Sequence, residues 1–260
     1  MEKRKYNKIG YGEREHSSEK EVVFGIRPVI EAINAGKEIE KLLIQKDQHS
    51  LLINELQALA HTHNIPVSRV PVEKLDSITR KNHQGVICFI SAISYSSLDN
   101  IISETYQKGL VPLILILDRI TDVRNFGAIA RTAECLGVHA IVVPTRGSAQ
   151  ITGDALKTSA GALNFIPVCR EDNLKTTITY LKENGLKVTG CTEKATKTIS
   201  QCDFSGPSAI IMGSEEDGIS EEYLKRADDT GKIPLTGNIE SLNVSVAAGM
   251  VLYEVVRQRQ

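Results

Sequence analysis

Leu113-Ile-Leu-Ile-Leu-Asp118 is an uninterrupted apolar run closed by a carboxylate. A strand with one wet face alternates apolar and polar residues, so an unbroken run marks a strand covered on both sides. That is the condition of a parallel sheet with helices on each face. The chain beyond Asp118 has the matching rhythm. A loop leads to a helix beginning near Asn125, with Ile129, Thr132, Ala133 and Leu136 on its buried face. Residues 138–143 read as the next strand, and the alternation continues through a helix near 177–183 and strands at 187–190 and 209–212. Strands alternating with helices predict an α/β unit with a parallel sheet over residues 111–260.

Ligands of such sheets sit outside the carboxyl ends of the strands. Residues 118–131, 213–220 and 237–243 fall there, and these three stretches carry the candidate chemistry. In the first, Asn125 is a good N-cap and Gly127 allows another backbone to come close. Arg131 stands among Ala128, Ala130 and Ala133, a cation in a tight setting. In the second, Gly213 ends a buried strand and permits close backbone approach to a ligand, while Gly218 suits a positive φ. Glu215 lies between them at the carboxyl end of the strand, and Ser220 with Glu221 and Glu222 forms a helix start. In the third, a loop with Pro234 and Gly237 leads to Ser241-Leu242-Asn243 at the mouth of an apolar helix. Val244, Ala247, Ala248, Val251, Leu252 and Val255 form the stripe of that helix. Ser241 is its expected N-cap, which leaves Asn243 as an unexplained polar residue.

Upstream, residues 21–95 alternate short strands and helices and predict a small α/β unit able to fold alone. Residues 96–110, within a polar stretch that also holds a helix-like segment, read as a linker, and the boundary between the units is placed there. Residues 1–20 are highly charged with little to bury, so a flexible polar tail is expected.

The bulk properties narrow the chemistry. Of 260 residues, 41% are hydrophobic and 24% charged, which is ordinary for a soluble globular chain. Aromatics make up only 5% and Trp is absent, so a base-stacking platform is not expected. A net charge of −1 leaves nucleic-acid contacts to local basic patches. The five cysteines, at 88, 135, 169, 191 and 202, show no ligand spacing and read as reduced thiols of a cytoplasmic protein. His61 and His63 flank Thr62 on a polar helix, and no metal site is expected. No apolar run reaches membrane-spanning length. The sequence holds no Gly-x-Gly-x-x-Gly, no P-loop and no Gly-x-Ser-x-Gly elbow, so dinucleotide, nucleoside-triphosphate and serine-hydrolase readings lack support.

Asn125-x-Gly-x-x-x-Arg131, Met212-Gly-Ser-Glu215-x-x-Gly218 and Ile233-Pro-Leu followed by Ser241-Leu-Asn-Val-Ser-Val-Ala247 resemble, in order, the three motifs of the SpoU (TrmH) family of RNA ribose 2′-O-methyltransferases. The resemblance covers residues 111–260, and the 21–95 unit, with its His83-Gln84-Gly85 turn, is similar to the family's L30-like RNA substrate-binding domain. The chain departs from the pattern at Asp122-Val123-Arg124, where many members have Asp-Pro before the Asn. The resemblance implies an α/β methyltransferase domain of SPOUT type tied in a deep trefoil knot. It implies S-adenosyl-L-methionine as cofactor, held at Gly213, Ile233 and Leu242 largely through backbone. It implies a homodimer through the C-terminal domain. The nearest subgroup methylates a guanosine ribose of 23S rRNA, free or in a pre-ribosomal particle; a tRNA ribose methyltransferase and a non-catalytic RNA-binding ribosome-assembly protein are the alternatives. Catalysis would rest on Arg131, Asn125, Glu215, Ser241 and Asn243. Arg131 is open to two roles: base, or clamp on an RNA phosphate that also steadies a developing alkoxide, the second easing the difficulty that guanidinium is a very poor base.

Overall fold

The computed structural model describes residues 22–239 and 241–260, so the expected tail over 1–20 lies outside the described residues. The chain first builds β1 (Val22–Phe24), α1 (Ile26–Asn34), β2 (Ile39–Gln45), α2 (Leu51–Thr62), β3 (Val67–Val70), α3 (Val72–Asp76) and β4 (Val86–Ile90). The strands pair in the order β1-β4-β2-β3, with β2 and β3 parallel and β4 antiparallel to both neighbours. β4 is buried at every position, in keeping with its unbroken apolar sequence. Ser50 caps α2 by accepting from the Ile53 amide.

The second unit comprises α4 (Leu98–Gln107), β5 (Leu113–Asp118), α5 (Val123–Cys135), β6 (Ala140–Pro144), α6 (Gly153–Thr158), β7 (Val168–Glu171) and α7 (Leu174–Glu183). It continues with β8 (Lys187–Cys191), β9 (Ser208–Gly213), α8 (Glu221–Leu224), β10 (Asp229–Gly231) and α9 (Val244–Gln258). The strand order is β10-β8-β9-β5-β6-β7, and every neighbouring pair is parallel. The two faces of β5 account for its sequence. Leu113, Leu115 and Leu117 face a core shared with Phe126 and Ile129 of α5 and Val251 and Leu252 of α9. Ile114 and Ile116 face a second core with Ile102 of α4 and Ile178 and Leu181 of α7. With hydrocarbon on both sides, no position from Leu113 to Leu117 can be polar at low cost.

The stretch 96–110, expected as a linker, is corrected by α4. Ser97 caps this helix, and Leu98 and Ile102 are buried in the second sheet's core. The two units also meet directly. The Ala92 amide donates to the Ile151 carbonyl and the Ser96 amide to the Val168 carbonyl, both at 2.9 Å. The Arg170 guanidinium lies 3.6 Å from the centroid of the Tyr95 ring and donates to the Ile39 carbonyl at 3.1 Å. The Tyr95 hydroxyl in turn donates to the buried Glu40 carboxylate. Among the described residues, no helix is long and apolar enough to cross a membrane.

At the far end of α9, Arg259 donates to the carbonyls of Phe204, Val111, Pro112 and Gly206. Gln258 accepts from the Phe204 amide and donates to the Cys202 carbonyl. These bonds fix the helix against the start of β5 and the loop before β9.

Candidate active site

β5 and β9 run side by side to their carboxyl ends, where Asp118 stands opposite Gly213. From β5 the chain winds out through β6 to β7, then crosses to β8 and β9 on the other side. This reversal of direction opens a crevice between the loops that leave β5 and β9. Ile233, Leu235, Ser241 and Leu242, which precede α9, line a cavity beside it.

The helix caps at the crevice differ from those expected. Asp122, not Asn125, caps α5, accepting from the amides of Arg124 at 2.6 Å and Asn125 at 3.3 Å. Asn125 lies within the first turn, with its side chain free to reach across. Val123 takes the first helical position, where proline would also fit, so the departure from Asp-Pro leaves the helix start in place. Asn243, not Ser241, caps α9: its Oδ1 accepts from the Ser245 amide at 3.0 Å and from the Ser245 hydroxyl. The unexplained polar residue is therefore the cap, and Ser241 is an exposed residue ahead of it. At α8, Ser220 makes no side-chain cap; its amide and hydroxyl both bind the Asp118 carboxylate.

One carboxylate oxygen joins the three stretches. Glu215 Oε1 accepts from Asn125 Nδ2 at 3.0 Å, Asn243 Nδ2 at 2.8 Å and the Val244 amide at 3.2 Å. Asn243 Nδ2 also donates to Asn125 Oδ1 at 2.9 Å, closing a triangle. A carboxylate receiving several N–H groups holds them with charge-assisted strength. Both amide hydrogens of Asn243 are thereby used, whereas Asn125 Nδ2 keeps one. Glu215 Oε2 accepts no hydrogen bond among the described residues.

Two cavities flank this triangle. The larger, of about 440 Å³, is lined by Gly213, Ile233, Leu242, Glu215 and Ser241, together with Met212 and Leu235. All three residues expected to hold the cofactor thus share one cavity of a size suited to a small molecule. Burial pushes the Cys191 thiol on its wall up to about 12, so that thiol is neutral at physiological pH. The smaller, of about 310 Å³, is lined by Asn125, Asp122, Arg119 and Glu215. At Gly213 the chain's own backbone also comes close. A Cβ there would lie 2.1 Å from the Gly218 carbonyl carbon. Gly127 does meet another segment, since a Cβ there would lie 2.9 Å from the Ser159 amide nitrogen. Gly218 has φ +66°, as its place in the turn requires.

Arg131 is not brought to the triangle. It is exposed on α5, lines neither cavity and has no hydrogen-bond or ion-pair partner among the described residues. Sequence reasoning missed a second polar cluster. The buried Asp118 carboxylate binds Ser220 and the Arg119 guanidinium, which extends to Asp217 at 2.9 Å and to the Gly218 carbonyl at 3.1 Å. These bonds hold the Arg119 guanidinium above its ordinary pKa, the hydrogen bond to Asp118 contributing most. The one visible signal was a carboxylate ending an otherwise apolar strand. Among the described residues, no group of three or more His, Cys, Asp or Glu side chains is placed to hold a metal ion.

Comparison with known proteins bears on both units. Residues 112–253 match the model of the SpoU rRNA Methylase family, and residues 22–96 that of the RNA 2′-O ribose methyltransferase substrate-binding family. A Staphylococcus saprophyticus protein assigned to the TrmH family of tRNA/rRNA methyltransferases is 37% identical over 238 residues, 92% of this chain and 96% of its own. YacO of Bacillus subtilis, assigned to the same family, is 35% identical over 94% of this chain and 98% of its own. Among solved structures, the SpoU methyltransferase AviRb from Streptomyces viridochromogenes, in complex with the cofactor AdoMet, superimposes with a TM-score of 0.58. It is 25% identical, with 92% of this chain and 90% of that one covered. Matched in both of its units and aligned nearly end to end with these relatives, the chain belongs to the SpoU (TrmH) family of RNA methyltransferases.

Proposed function

We propose that the protein transfers a methyl group from S-adenosyl-L-methionine to a ribose 2′-hydroxyl of RNA, with a guanosine of 23S rRNA as the target. The observation that carries this reading is the Glu215 carboxylate, which binds Asn125, Asn243 and Val244 at the wall between two cavities. Such a wall suits a donor on one side and an acceptor on the other.

The larger cavity fits the cofactor. Ile233, Leu235 and Leu242 offer an apolar seat for an adenine, and Glu193 and Glu216 offer carboxylates to a positively charged ligand. When bound, S-adenosylmethionine supplies a methyl already activated by its positively charged sulfur. The chain's own contribution is then alignment and care of one proton. Asn125 has one amide hydrogen to spare and Glu215 one carboxylate oxygen; both line the smaller cavity, where a ribose would meet a donor and an acceptor. Asn243 holds the pair in place from the cap of α9. Ser241 lies on the wall of the cofactor cavity, within the same segment. Arg131, outside both cavities, acts as a clamp on an RNA phosphate.

RNA recognition falls to the 22–96 unit, whose family match is to a substrate-binding domain. A homodimer formed through the C-terminal domain is supported by α9, where Val246, Met250 and Tyr253 form an exposed apolar stripe. The small residues Ala248 and Gly249 lie toward the chain's own interior, Gly249 close to Thr132, which leaves this stripe for the second copy. A deep trefoil knot threaded by the C-terminal part of the domain and a cytoplasmic location complete the reading.

Mapping 2′-O-methyl groups in rRNA and tRNA from cells lacking the gene tests it. The expected result is loss of one methyl at a 23S rRNA guanosine. Loss in tRNA alone would move the substrate to the second class its relatives are assigned to, and an unchanged map in both RNAs would remove the proposal.

A further inference from the structure

Arg119 directly succeeds the last residue of β5 with φ +58°, in the left-handed region that a glycine occupies without strain. Its side chain shows what the strained backbone provides. Nε donates to Asp118 Oδ1 at 3.1 Å and Nη2 to Asp118 Oδ2 at 3.4 Å. From there the guanidinium reaches Asp217 Oδ2 at 2.9 Å through Nη1 and the Gly218 carbonyl at 3.1 Å through Nη2. It ties the end of β5 to the far side of the 214–218 turn.

That turn is closed on itself, with the Gly218 amide donating to the Ser214 carbonyl at 2.9 Å and the Asp217 amide to Ser214 Oγ at 3.2 Å. Its near side is fixed by the bonds of Glu215 to Asn125, Asn243 and Val244. Ser214, Glu215, Glu216 and Asp217 line both cavities, so the turn is the partition between them. A partition held along both edges has one position. Held by Glu215 alone, it would rock about that edge, widening one cavity as it narrows the other.

We propose that Arg119 is a positioning residue for methyl transfer: by clamping Asp217 and Gly218 it presets the wall of the cofactor cavity, and the left-handed backbone is what lets it reach. The proposal rests on the methyltransferase reading, but the clamp exists before any ligand arrives and is measurable in the free protein.

Two substitutions cut the clamp at opposite ends. Arg119→Gly removes the guanidinium and relieves the backbone. Asp217→Asn weakens the grip on the turn while leaving the buried Asp118 carboxylate its cation. Amide hydrogen exchange at Gly218 in the free protein and calorimetric titration with S-adenosylhomocysteine are measured for wild type, both single variants and the double. Both singles should lose protection at Gly218 and bind about tenfold or more weakly, with the double no weaker than the weaker single, because the two changes remove one interaction. Arg119→Lys, a point charge without the planar fork, should recover only part of the affinity. Additive losses in the double would mean that Asp217 meets the ligand directly, and the clamp would be overturned. Wild-type protection and affinity in a folded Arg119→Gly would overturn it equally. If wild type itself binds no S-adenosylhomocysteine, the methyltransferase reading falls, and the exchange measurement alone decides the clamp.

Discussion

At Asn243 both amide hydrogens are committed, one to Glu215 and one to Asn125, and the carbonyl oxygen accepts from Ser245. Arg131 is the opposite case, an exposed cation with no partner among the described residues. Its removal should therefore cost the fold little and the reaction much. Arg131→Ala should remain folded with wild-type affinity for S-adenosylhomocysteine, while single-turnover methyl transfer at saturating RNA falls by about 10²–10⁴, the loss of a phosphate clamp that aligns the RNA for reaction. A phosphate clamp predicts partial recovery in Arg131→Lys, and a rate near wild type in Arg131→Ala would remove the residue from the reaction. The members of the polar set were legible because each stood out in its surroundings: Asn125 and Asn243 beside apolar helices, Glu215 at the end of a buried strand. Their bonding was not legible. Ser241 and Asn243 are both good cap residues, as are Asp122 and Asn125, and spacing alone does not choose between them. Arg119 was hidden for a different reason, since a left-handed backbone leaves no mark on the identity of a residue that is neither Gly nor Asn.

On α9, five of the six stripe residues read from sequence, Val244, Ala248, Val251, Leu252 and Val255, are buried, and the sixth, Ala247, is half-buried against the same core. The periodicity could not show that Glu254 would be buried with them. Its carboxylate accepts from Arg257 Nε at 2.8 Å and Nη2 at 2.6 Å and from Gln258 Nε2 at 2.7 Å. The bonds from Arg257 and then Gln258 lower its pKa from the usual 4.5 to about 2. A depressed carboxylate stabilises the fold fully above its unfolded pKa, and that contribution fades as the pH falls from about 4.5 toward about 2. Glu254→Gln should thus lower stability near neutrality and flatten the acid limb of the stability curve, as read from urea midpoints across that range. Parallel loss of stability in acid for variant and wild type would assign the limb to other carboxylates. Two short strands of the second unit left no pattern in the sequence. β7 has four residues and β10 three, too few to display a period. In α4 the apolar Leu98, Ile101 and Ile102 are diluted by polar neighbours, which gives the helix the composition of a linker.

Across the whole molecule, the two units are joined by more than chain continuity: Arg170 stacks on Tyr95, Tyr95 binds Glu40, and the Arg170 guanidinium caps the Ile39 carbonyl. A fragment beginning at Ala92 retains Ile93 and Tyr95, which pack against the second unit's core. It should fold, bind S-adenosylhomocysteine and methylate its natural RNA poorly, as measured by kcat/KM for the RNA against calorimetric affinity for the cofactor product. Full activity of the fragment would end the division of labour between the units. The fastening of α9 has a consequence in time as well as in space. Arg259 grips carbonyls at Val111, Pro112, Phe204 and Gly206, while the other end of the same helix supplies Asn243 to the site. A ribosome making this chain delivers Arg259 well over a hundred residues after the strand that it secures. During synthesis β5 and β9 are therefore made before α9 exists, and the triangle of Asn125, Glu215 and Asn243 closes only once that helix has been made and packed.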